Sequence, residues 1–144
     1  MQKECEYDEI VEFIDIADKL VAKYPDEFGD IDLATVACVG ITNKTRSDKK
    51  KQFWDIKPVK QPLARYCNKR YVVVFYMHDW DEWDDIRRAA ITADVLCSIP
   101  PGGNGEVTAM DYKDHGIMLR TLGVDYMENE QLPNILDEDV EWRK

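Results

Sequence analysis

Histidine is scarce in this sequence: there are two in 144 residues, His78 and His115. Neither has a partner at H-x-x-x-H or H-x-x-H spacing, so the helical pair that anchors many zinc sites is missing. The four cysteines, Cys5, Cys38, Cys67 and Cys97, form no C-x-x-C pair. Apolar runs are short. Val72 to Met77 is among the longest, far below the ~20 residues needed to span a bilayer. Met1 is followed by Gln2-Lys3-Glu4-Cys5-Glu6 with no apolar stretch, so no secretory signal is expected. The chain is expected to be cytoplasmic, with no membrane partner and with its cysteines as reduced thiols. Gly102-Gly103-Asn104-Gly105 precedes no G-K-[ST], so it reads as a turn and not a phosphate cradle. No repeat and no linker composition is present, which predicts one domain over residues 1–144.

What is present is enough apolar material for one core, 44% of the chain, and many charges, 33%. Acids number 29 and bases 19, a net of 19 − 29 = −10. A field of that sign repels phosphate at long range, which argues against direct nucleic-acid binding and against anionic membranes. The charge is uneven. Residues 1–42 carry −8 (3 bases, 11 acids), residues 43–70 carry +8 (10 and 2), and residues 71–144 carry −10 (6 and 16).

Periodicity sets the coarse order. Ile10, Phe13, Ile14, Ala17, Leu20, Val21 and Tyr24 give an apolar stripe, and so an N-terminal helix. Glu6, Asp8 and Glu9 stand near its start, where the helix dipole favours acids, and Pro25 ends it. Residues 31–41 read as a strand. Residues 43–52 are polar and basic and read as an exposed loop. Residues 53–56 read as a short strand or docked segment, and 71–77 as the clearest strand. Pro58 and Pro62 keep 57–64 out of a sheet centre. A helix over about 81–98 follows, then the Pro100-Pro101 break and a helix over about 108–122 capped by Gly123. Residues 126–144 form an acidic tail with Leu132, Ile135, Leu136 and Trp142 as anchors. The expected class is α+β: an N-terminal helix, a short antiparallel or mixed sheet, and two C-terminal helices.

Two segments concentrate chemistry on the surface. Asp79-Trp80-Asp81-Glu82-Trp83-Asp84-Asp85 holds five carboxylates and two tryptophans. It is either a helix start suited to the dipole or an acidic, aromatic recognition patch. Residues 137–142 repeat the chemistry. Lys44 to Lys60, with Phe53 and Trp54 between the charges, is either a solvated loop or a phosphate-binding, base-stacking segment. A metal cluster of Cys97, His115, Asp111 and Asp114, or a Cys97–His115 thiol–imidazole pair, would need the two C-terminal helices to face each other. Such residues are most often plain packing or surface residues.

Ile99-Pro100-Pro101 and Gly123-Val124-Asp125-Tyr126, with the elements from Tyr71 to Leu132, resemble the phage metallopeptidase family, a small zincin-like group. In that family the first of the two helices carries H-E-L-x-H before an Ile-Pro-Pro-like exit. The resemblance implies a zincin-like fold and a phage or mobile-element origin. It sets Asp94 and Ser98 where the family has zinc histidines, Val95 where it has the catalytic glutamate, and Met110 where it has the downstream histidine. A slide of one residue, to Ala93, Asp94 and Cys97, does not restore the motif. Serine is a poor zinc ligand, methionine suits only soft metals, and valine moves no proton. The expectation is a pseudoenzyme with no catalytic residue, no metal and no cofactor. Its predicted role is that of an acidic interaction or inhibitor protein acting in a host cell on a host protein, one that binds nucleic acid or serves in defence. The surface expected to bind is Asp79 to Asp85. A metal-dependent peptidase with atypical ligands and a nucleic-acid accessory protein using residues 43–70 stay open.

Overall fold

The computed structural model describes residues 6–42, 53–100, 115–123 and 125–143. The 43–52 segment, Met110, Asp111, Asp114 and the glycine turn at 102–105 lie outside these residues.

Four strands form one mixed sheet: β1 (Glu6–Glu9), β2 (Val36–Thr42), β3 (Trp54–Pro58) and β4 (Tyr71–Tyr76), in the order β1-β2-β4-β3. The central pair β2·β4 is parallel, with Val36 opposite Tyr71, and both outer pairs are antiparallel. Period-2 alternation sends Val36, Cys38, Trp54, Tyr71, Val73 and Phe75 into the core. The chain is therefore α+β with a mixed sheet. Among the described residues, no helix is long and apolar enough to cross a membrane.

The helices are α1 (Val11–Lys23), α2 (Pro25–Phe28), α3 (Leu63–Tyr66), α4 (Met77–Glu82), α5 (Asp85–Leu96) and α6 (Gly116–Leu122). The apolar stripe of α1 buries Phe13, Ile16, Ala17 and Leu20. Several expectations need correction. Glu6, Asp8 and Glu9 do not start a helix; they form edge strand β1, where outward charges guard an open edge. Pro25 ends α1 only by opening α2, since its missing N–H is harmless at a first helical position. Residues 33–35 form a helical turn capped by Asp32, so β2 starts later than expected. The helix expected over 81–98 is two helices. Trp83 is extended at the break, and Asp84 caps α5 by accepting the Arg87 N–H at 2.9 Å. Pro58 does lie in a strand, but at the sheet edge.

The segment 125–143 is docked on the domain. Lys23 Nζ donates to the carbonyls of Ile135, Leu136 and Glu138 at 3.1, 3.1 and 2.7 Å. Tyr24 OH donates to Ile135 O at 2.6 Å. The Trp142 ring packs edge-on against Tyr24 and Phe28. From α5, Arg87 donates to Met127 O and Asn129 O, while Arg88 grips the Glu12 carboxylate and Trp80 O. Two adjacent arginines thus tie α5 to the C-terminal segment on one side and to α1 and α4 on the other.

Candidate functional site

Helix α5 carries Asp94 and Val95, two of the positions that the resemblance singled out, and Ser98 follows just past its end. A spacing of four residues sets Asp94 and Ser98 on one face, one turn apart. That face is interior. Asp94 is 0% exposed, Ser98 1% and Val95 0%. The face meets His115, the residue before α6, which is 4% exposed, and Tyr126, which is 1% exposed. Asp94 Oδ1 accepts the backbone N–H of His115 at 3.1 Å, and Asp94 Oδ2 accepts the Tyr126 hydroxyl at 3.1 Å. Ser98 Oγ lies 2.7 Å from His115 Nε2.

A hydroxyl against an imidazole is half of a nucleophile–base constellation. In a triad, a carboxylate then orients the imidazole ring. Here the Asp94–His115 bond runs through the main chain and the Asp94–Tyr126 bond through a phenol. The same donor set does not fit zinc. Each oxygen of Asp94 already accepts a hydrogen bond, Ser98 offers a hydroxyl, and Val95, where the resemblance would set the general base, packs in the core. Among the described residues, no group of three or more His, Cys, Asp or Glu side chains could hold a metal. A buried, hydrogen-bonded carboxylate fastens α5 to the start of α6 and to the Tyr126 corner.

Cys97 lies one residue before Ser98. Burial pushes its thiol well above the ordinary value, and the nearby charges of Asp94 and Glu27 push the same way. A thiol held protonated is a poor nucleophile. Burial alone raises the Cys38 thiol.

The acidic segment divides. Asp81, Glu82, Asp84 and Asp85 are exposed, and Trp83 is partly buried. Asp79 and Trp80 are buried, at 8% and 2% exposure. Trp80 packs on Phe75 with ring centroids 5.0 Å apart, and the Arg88 guanidinium covers its face at 5.1 Å. Trp80 is thus a core residue and not a surface anchor. The reason is its place in α4, on the side that packs against Phe75 of the sheet. Trp83 packs edge-on against Phe53 and Phe75.

Sequence reasoning brought Asp94 and Ser98 together by spacing and missed Tyr126 as the partner of Asp94. The available signal was the corner itself. Gly123, at φ 97°, ends α6, and Asp125, at φ 55°, turns the chain so that Tyr126 enters the core. Met110, the fourth position singled out, lies outside the described residues. Comparison of the chain with protein-family models, with curated proteins and with solved structures finds no match.

Proposed function

We propose that the chain is a non-catalytic, acidic interaction protein on a degenerate metallopeptidase scaffold of phage or mobile-element origin. In this reading it blocks a host nucleic-acid-binding or defence protein by presenting carboxylates where phosphates would bind. The observation that supports it is a division of labour among the polar residues. Asp94 and Ser98 are buried and hydrogen-bonded to His115 and Tyr126, whereas Asp81, Glu82, Asp84 and Asp85 face water at one end of the sheet. Spaced outward carboxylates steer basic partners and are screened by salt, with a Debye length of ~8 Å at physiological ionic strength.

The test is capture of host proteins on the immobilised chain, followed by affinity measurement with the protein retained. The combined Asp81→Asn, Glu82→Gln, Asp84→Asn and Asp85→Asn variant keeps side-chain shape and keeps a capping residue at 84. It should bind at least about tenfold more weakly, a loss of ~1.4 kcal/mol. Ser98→Ala should bind as the unaltered chain does. Binding should also weaken as salt rises. Retained affinity in the four-residue variant, with loss in Ser98→Ala, would overturn the proposal.

A further inference from the structure

The stretch from Lys57 to Arg70 contains five bases and no acid, in a chain of net charge −10. It runs from the end of β3 through α3 to the start of β4. Because Pro58 is opposite Tyr71, α3 sits at the end of the sheet where β4 begins, away from α4. Leu63 and Tyr66 lie on one side of α3, three residues apart, and are 69% and 84% exposed. Lys60 and Arg65 beside them are exposed as well. Two large, exposed side chains framed by cations make a small knob.

The helix layer carries a groove of complementary character, about 610 Å³ in volume. Ile16 and Leu136 supply its apolar lining, and Asp15, Asp85 and Asp137 its carboxylates. Glu12 also lines it but is gripped by Arg88, and the ammonium of Lys23 is turned to backbone carbonyls. Lys19 is the other cation along it. The groove joins the start of α5 to the C-terminal segment, so two acidic stretches far apart in sequence share one surface with α1.

We infer that the α3 knob of one copy docks in the α1–α5 groove of a second copy of this chain. Lys60 and Arg65 meet Asp15, Asp85 and Asp137, and Leu63 and Tyr66 cover Leu136. The argument is complementarity in both charge and apolar character between two surfaces of the same molecule. A phosphate backbone would satisfy the bases but leave Leu63 without an apolar partner, and the net charge of the chain repels it. Each copy repels the other at long range too, so the attraction acts within about a Debye length, ~8 Å, of contact. Knob and groove are different patches. The contact therefore either pairs reciprocally about a two-fold axis or propagates from copy to copy, and both raise the mass. This inference shares Asp85 with the host-partner surface proposed above but rests on its own observations.

Sedimentation equilibrium of the full chain over a range of concentrations, at physiological salt, provides the test. Average mass should rise with concentration. Leu63→Ser with Tyr66→Ser should weaken association at least about tenfold. Lys60→Glu with Arg65→Glu should abolish it, as should Asp15→Lys with Asp85→Lys. An equimolar mixture of the two charge-reversed variants should regain it, which no folding defect can mimic. Circular dichroism checks each variant. A chain that stays monomeric, a reversed variant that still associates, or a mixture that fails to recover overturns the inference. So does a monomer that binds oligo(dT) through Lys60 and Arg65, which would give the knob to nucleic acid.

Discussion

At the scale of single residues, Asp94 determines how the site is understood. Its two oxygens accept from two buried donors, His115 N–H and Tyr126 OH. Asp94→Ala removes both bonds, at about 1 kcal/mol or more each. Tyr126→Phe removes one donor together with one bond and should cost about 1 kcal/mol. Urea denaturation should therefore rank Asp94→Ala well below Tyr126→Phe in midpoint. An unchanged midpoint for Asp94→Ala would contradict the clasp. The thiols give a second prediction at this scale. Cys38 and Cys97 have their thiols raised above the ordinary value of 9.0 in the folded chain. Above that pH the unfolded chain loses these protons while the folded chain keeps them, so the folded state binds more protons. Stability is then fully present below pH 9.0 and falls as pH rises beyond it. Cys38→Ala should flatten that decline in denaturation midpoints measured from neutral to alkaline pH, and an equally steep decline would contradict the assignment. Asp94 and Ser98 were legible in the sequence because helical spacing is local. Tyr126 was not, since its bond spans 32 residues and follows from a corner rather than a period.

At the scale of elements, the legible pieces were those with their own periodicity. The stripe of α1 and the β-branched run of β4 are examples, as is Gly123, whose positive φ needs glycine. The pieces read differently are those decided by a neighbour. Glu6–Glu9 has no apolar alternation, and its strand exists because β2 offers an edge. The α4–α5 break follows from Asp84 capping a new helix inside what reads as one amphipathic run. The 125–143 segment reads as an acidic tail because its anchoring bonds go to main-chain carbonyls, which carry no signature in the segment itself. Removing those anchors should release it as a unit. Lys23→Met combined with Trp142→Ala should raise the proteolytic cleavage rate within 125–143 by about tenfold or more, while amide protection in β2 and β4 stays unchanged. Loss of protection throughout would show that the segment is part of the global core instead.

At the scale of the whole molecule, charge and chemistry are sorted by position. Apolar side chains from the sheet, α1 and α5 form one core, and Thr92 and Asp94 of α5 are enclosed within it. Outward carboxylates gather on α4, the start of α5 and the C-terminal segment, while bases gather around α3. The proposed function places activity on that outer charge and none on the enclosed groups. Zinc analysis tests this most directly, because a working metallopeptidase centre on α5 would need Asp94 to ligate a metal rather than close on His115 and Tyr126. The protein should be purified without chelator, equilibrated with zinc and passed through a desalting column, alongside Asp94→Asn. The account predicts no zinc retained in stoichiometric amount by either protein. About one zinc per chain in the unaltered protein, lost in Asp94→Asn, would contradict it.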